Sequence, residues 1–140
     1  TDTWGLLMRR DSPLAQKESI KAEDLRNIPL ITSRQSMVRN VLSGWSGQNF
    51  DKLNIAVTYN LVYNASLMVA EGFGYALCLD KLVNTATESE LCFKPLEPHL
   101  EAHLDIAWKK YQMPSKAAEK FLSQLQKEFE IAHCSLHTSV

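Results

Sequence analysis

The sequence predicts an α/β domain built on a largely parallel sheet. Three observations carry that expectation. Apolar runs of strand length alternate along the chain with stretches of helical spacing. The run Tyr75-Ala76-Leu77-Cys78-Leu79 is apolar on both faces, as an interior parallel strand is. The glycines of VAEGFGYALCLD, residues 69–80, stand between a helix-like run and that strand, where a helix would stop before the chain re-enters a sheet.

Length and composition narrow the possibilities. The 140 residues fit one domain, long enough to bury roughly two-thirds of the unfolded surface. The formal net charge is −1, and lysines and arginines are scattered rather than gathered into a basic stripe with interleaved aromatics. Composition therefore gives no sign of a nucleic-acid surface in this chain. No apolar stretch approaches the ~18–20 residues of a membrane span, so no membrane partner is expected. The first residues do not read as a signal peptide, which points to the cytoplasm. Cys78, Cys92 and Cys134 are odd in number and widely spaced, the usage of reduced thiols rather than of a disulfide framework or a zinc site. Asn64-Ala65-Ser66 matches a glycosylation sequon but falls inside a helix-like run, and it is set aside.

The elements follow in order. Trp4 to Met8 (WGLLM) is a short apolar strand, and Arg9-Arg10-Asp11-Ser12-Pro13 is a polar turn. Ile28-Pro29-Leu30-Ile31-Thr32 is a second strand, its proline near the start where a missing N–H does least harm. Val38, Val41, Leu42 and Trp45 recur at helical spacing, with Ser33 or Ser36 to cap the start and Gly44 or Ser46-Gly47 to end it. Leu53, Ile55 and Val57 alternate with Asn54, Ala56 and Thr58, the period of a strand. Residues 60–71 form a helix that is apolar nearly all round, so burial is expected, with Asn60 as its cap.

Past the glycines, Leu91-Cys92-Phe93 is a short strand. Ala102, Leu104, Ile106 and Trp108 alternate with His103, Asp105 and Ala107 as another strand. Pro114-Ser115 introduces the cleanest amphipathic helix, with Ala118, Phe121, Leu122, Leu125 and Phe129 on one stripe. Residues 131–140 have no pattern and read as a frayed tail.

Order decides the glycine pair. A dinucleotide fingerprint places its glycines after a strand and before a helix, because the helix start meets the pyrophosphate. Here the order is helix, glycines, strand. Gly72 reads as the left-handed residue ending the helix, and Gly74 as the place where backbones pack closely. The helix starts are better candidates, since ligands of open α/β sheets bind beyond the carboxyl ends of strands. Thr32-Ser33-Arg34-Gln35-Ser36 and Thr58-Tyr59-Asn60 both follow strands and offer hydroxyl, amide and backbone donors suited to a small anion. The same residue types are ordinary helix caps, and that reading stands beside the first.

At this point the chain resembles a family. Asp11-Ser12-Pro13-Leu14-Ala15, then Ile20 with Glu23-Asp24-Leu25, then Ile28-Pro29-Leu30-Ile31, is similar to the middle of the effector-binding domain of LysR-type transcriptional regulators. Val69-Ala70-Glu71-Gly72-Phe73-Gly74-Tyr75-Ala76-Leu77 resembles that family's V-x-x-G-x-G-I-A-L stretch. Trp108-Lys109-Lys110 followed by Ser115-Lys116-Ala117-Ala118-Glu119-Lys120-Phe121-Leu122 is similar to its closing strand and final helix, so the match runs in order over about residues 4–127. One departure is Leu79, where the family usually carries proline, and it bears on the loop at 80–84.

The resemblance implies a periplasmic-binding-protein-like (type 2) fold: three-layer α/β lobes with a ligand cleft between two of them. It implies that residues 1–9 are a crossover strand from lobe I, that 10–100 form lobe II, and that 101–130 supply the last strand and helix of lobe I. The first lobe is then expected to be incomplete and the helix-turn-helix to lie outside the chain. By position, Asn60 with Tyr59 beside it matches a place of effector contact, and Thr32, Ser33, Arg34 and Gln35 match the second-lobe wall of the cleft. The helix at 36–45 takes the place of the dimer element, and the final helix is expected to seek cover from a partner copy.

Catalysis and metal binding are not expected. His99 and His103 lie near Glu97, Glu101 and Asp105, yet no third well-spaced ligand follows, and surface solvation is the better reading. No nucleophile elbow is present. Tyr63 and Tyr75 read as packing residues more than as cleft walls. The expected function is effector sensing: a small anionic molecule between lobes, no cofactor, a homodimer or higher homo-oligomer, and DNA met only through a domain missing from this chain. The competing expectations are a solute-binding protein on the same scaffold, which a signal segment would mark, and a ligand-free dimerisation domain.

Overall fold

The computed structural model describes residues 1–35, 41–47, 52–103 and 115–130. They fall into two compact units, Thr1–Leu104 and Asp105–Val140. The first unit is a seven-stranded sheet: β1 (Asp2–Arg9), β2 (Ile20–Lys21), β3 (Leu30–Ser33), β4 (Ile55–Tyr59), β5 (Tyr75–Leu79), β6 (Leu91–Glu97) and β7 (Glu101–Ala102). The spatial order is β2-β6-β1-β5-β3-β4, with β7 paired to β1. β3 is parallel to both β4 and β5, and β2 is parallel to β6. β1 alone runs against its neighbours β5, β6 and β7. The sheet is thus mainly parallel, with one reversed strand at its middle.

Both faces of the sheet are buried, which explains why its strands read as unbroken apolar runs. Leu6 and Met8 of β1, Leu30, Leu77, Cys92 and Leu96 pack on one face with Ile20, Leu25 and Leu42. Leu7, Ile31, Ala76, Cys78 and Leu91 point to the other, where Ala65 and Val69 meet them. Two helices cover these faces: α1 (Val41–Ser46) supplies Leu42, and α2 (Val62–Ala70) supplies Ala65 and Val69. The result is the expected three-layer arrangement. Each fully buried leucine contributes about 1.5–3 kcal/mol of burial.

Several local expectations hold. β4 keeps its alternation, with Asn54, Ala56 and Thr58 exposed and Ile55 and Val57 half-buried. Gly72 has φ of 80°, with open space where a side chain would stand, so its role is conformational. Gly74 lies so close to β3 that an added Cβ would sit 2.5 Å from the Pro29 carbonyl oxygen. Gly47, at φ 63°, follows α1. Cys78 and Cys92 are free, buried thiols. Tyr75 packs in the core, and its hydroxyl lies 3.1 Å from Ser12 Oγ.

Other details differ. α2 is not buried all round: Leu61, Tyr63 and Leu67 are 57%, 62% and 50% exposed. The reason is spacing, since Ala65, Ser66 and Val69 already fill the face that meets the sheet and Tyr63 and Leu67 fall on the opposite one. Tyr63 therefore does not pack. Asn60 does not cap α2 either; Leu61 holds the cap position and no side chain bonds there.

In the second unit, α3 (Lys116–Glu130) is the amphipathic helix read from the sequence, and Ser115 Oγ accepts from the Ala118 N–H at 3.3 Å. The strand expected beyond Ala102, the first half of the 36–45 helix with Ser36 and Val38, Cys134 and the tail at 131–140 lie outside the described residues. Among the described residues no helix is long and apolar enough to cross a membrane.

Candidate functional site

The parallel pairing of β3, β4 and β5 brings their carboxyl ends to one edge of the sheet. Ser33 pairs with Tyr59, Thr32 with Thr58 on one side, and Thr32 with Leu77 on the other. Residues 32–35 and 59–60, far apart in the chain, therefore leave the sheet side by side. This is the edge at which open α/β sheets hold ligands.

The six residues singled out in the sequence divide by environment. Thr32 is fully buried, so its side chain belongs to the core. Tyr59 is half-buried, and its hydroxyl donates to the Leu77 carbonyl at 2.9 Å. Burial, with the nearby Cys78 sulfur adding to it, holds the Tyr59 phenol well above its ordinary pKa, so it stays neutral. Ser33 is half-buried, and its Oγ accepts from the Gln35 N–H at 3.3 Å, a local turn as the chain becomes helical at Arg34. Arg34, Gln35 and Asn60 are exposed. The rim thus presents a guanidinium and two carboxamides, supported from below by Thr32 and Tyr59.

The backbone donors expected at the start of α2 stand there without a capping side chain. Because no side chain caps this nine-residue helix, its first N–H groups lack that satisfaction, next to Asn60. Uncapped helix starts favour anions through these donors and the helix dipole. The lack of a cap was visible in the sequence only as Leu61, an apolar residue next to the Asn60 that was expected to cap.

Further along the same edge, Asp80 follows β5. Its Oδ1 accepts from the Thr3 N–H at 2.8 Å, and its other oxygen pairs with Lys81 Nζ at 3.3 Å. The Thr3 hydrogen bond first, then Lys81, hold the Asp80 carboxyl below the ordinary carboxylate range. A hollow of about 230 Å³ lies beneath residues 79–85 and includes none of the six predicted residues. His99 Nε2 lies 3.4 Å from Glu101 Oε1 at the surface, and His103 is exposed. Among the described residues no group of three or more His, Cys, Asp or Glu side chains could hold a metal ion.

A mainly parallel three-layer lobe with helix starts gathered at its carboxyl edge is the architecture of a type 2 periplasmic-binding-protein-like ligand domain. The chain belongs to the LysR substrate binding domain family, whose model matches residues 1–130. No curated protein matches it. Among solved structures it is similar to HinK, a LysR family transcriptional regulator from Pseudomonas aeruginosa, at 21% identity and TM-score 0.70 over 91% of this chain and 46% of that one. It is similar to the effector binding domain of QuiR in complex with shikimate, at 15% identity and TM-score 0.70, over 96% of this chain and 65% of that one. The CcmR regulatory domain of Synechocystis, in complex with 2-PG, aligns at 20% identity and TM-score 0.65 over 91% of this chain and 62% of that one. The chain therefore spans about half to two-thirds of the length of these proteins.

Proposed function

We propose that this chain is the effector-sensing part of a transcription regulator, binding a small anionic molecule at the rim formed by Ser33, Arg34, Gln35 and Asn60. Thr32 and Tyr59 support that rim from the core rather than touching the guest. The observation that carries the reading is the Ser33–Tyr59 pairing, which sets an exposed arginine and Asn60 beside the uncapped start of α2. A carboxylate there meets a bidentate guanidinium, an amide donor and backbone N–H groups together. The QuiR and CcmR domains, which share the fold, hold small ligands.

In this reading the guest sits between lobes and favours one lobe arrangement over another, which changes how a homodimer presents DNA-binding heads carried elsewhere in the regulator. Only a difference in affinity between the arrangements can drive that change. In the same reading the protein works in the cytoplasm and acts by binding rather than by catalysis.

A panel of small carboxylates, with shikimate and 2-PG included, tests the proposal by thermal shift on the protein. A true effector at 100 times its Kd adds about 2.7 kcal/mol. Arg34→Ala and Asn60→Ala should each remove most of that gain. A panel without any shift, or a shift that survives both substitutions, sinks the proposal.

A further inference from the structure

We infer that the hollow beneath residues 79–85 is a second small-molecule site, built for an uncharged, mostly apolar molecule with a single hydrogen-bonding group. It shares no residue with the rim at Ser33, Arg34, Gln35 and Asn60.

The floor of the hollow is Leu7 of β1 and Cys78 of β5, 0% and 2% exposed. Phe93 of β6 and Val83 line it further. The Phe93 ring takes its position because residue 5 is glycine: a Cβ there would stand 2.1 Å from Phe93 Cζ. The shape is therefore set by strands at the centre of the sheet.

The loop is equally well fixed. Arg10 reaches from the end of β1 and donates to four backbone carbonyls, those of Thr85, Ala86, Ser89 and Leu91, at 2.9–3.3 Å. Asn84 Oδ1 accepts from the Ala86 N–H, and Ser89 Oγ donates to the Asn84 carbonyl, each at 3.0 Å. A wall braced in this way is present before any guest arrives, and preorganisation lowers the ordering cost of binding.

The residues at 80, 81 and 85 select the kind of guest. Lys81 has φ of 62°, a conformation that residues with side chains seldom take and that recurs at ligand clamps. Its Nζ lies 3.5 Å from Asp2 Oδ1 and 3.3 Å from Asp80 Oδ2. These charges already serve one another, so a charged guest must disrupt a pair, a cost that an uncharged guest avoids. The Thr85 hydroxyl, by contrast, makes no hydrogen bond among the described residues, although Thr85 lines the hollow. About 230 Å³ holds a single ring or a short branched chain, less than a drug-sized ligand needs. The position also includes Leu79, a departure from the family pattern, which lines the same hollow.

Benzyl alcohol is the probe, followed by nuclear magnetic resonance on the protein. Saturable shifts are expected at Leu7, Val83, Thr85 and Phe93 and none at Asn60. Thr85→Val should weaken benzyl alcohol roughly three- to tenfold, the share of one net hydrogen bond, and leave toluene unchanged. Val83→Phe should fill the space and abolish binding of both, with a dispersed amide spectrum confirming that it still folds; Val83→Met serves if it does not. Shifts that never saturate, binding untouched by the filling variants, or benzoate bound more tightly than benzyl alcohol at these residues would overturn the inference.

Discussion

Single atoms decide a good deal in this molecule. Gly5 and Gly72 look alike in the sequence but are held for different reasons, so alanine should separate them. Gly72→Ala costs about 1 kcal/mol through its left-handed backbone alone. Gly5→Ala costs about 2–3 kcal/mol or more, because its Cβ meets Phe93 at 2.1 Å and the Lys94 carbonyl at 2.5 Å, and that backbone cannot step aside. Urea denaturation of the two variants checks the ranking. Tyr59→Phe should cost about 1 kcal/mol through the bond to Leu77 while leaving effector affinity unchanged. Cys78 gives an alkaline signature. Burial first, and the Asp80 charge second, push its thiol from 9.0 up to about 12. The folded pKa is raised, so this contribution to stability is whole below pH 9 and drains away as the unfolded thiol ionises, up to about pH 12. The slope is about 1.4 kcal/mol per pH unit for one group. Denaturation midpoints at pH 8 and 10.5 should show the fall, and Cys78→Ala should reduce it.

At the scale of elements, α2 shows what periodicity can and cannot reveal. A nearly all-apolar helix reads as buried, yet it rests on the sheet by one face and turns Tyr63 and Leu67 outward. Leu67→Lys should therefore change stability by no more than about 0.5 kcal/mol. Val69→Ala, on the buried face, should cost about 2 kcal/mol in the same urea titration. The strands were easier to read, since β3, β5 and β6 carry apolar residues on both faces and no helix pattern competes. The extents were less legible: β6 runs on through Lys94 and Pro95 to Glu97, because pairing with β1 as far as Pro95 and with β2 at Leu96 and Glu97 sustains a strand that composition alone would end at Phe93. The rim was partly legible as well. Ser33, Arg34, Gln35 and Asn60 were found from their position after strands, but the burial of Thr32 and the diversion of the Tyr59 hydroxyl depend on cross-strand neighbours that no local pattern encodes.

For the whole molecule, the alternation of strand and helix patterns gave the parallel majority and the family resemblance the three layers, while sheet order lay beyond sequence reading. Nothing in WGLLM announces that it will become the reversed strand between β5 and β6. The hollow was illegible for the same reason, since Leu7, Cys78 and Phe93 come from three strands that only this order makes neighbours. That placement has a consequence for synthesis. β1 finds its partners only in segments made well after it: Trp4 must wait for Leu79 and Arg9 for Leu91 before either is paired. The nascent chain therefore carries an apolar strand unpaired until β5 and β6 have been made, a state that invites holding by chaperones and slow, late closure.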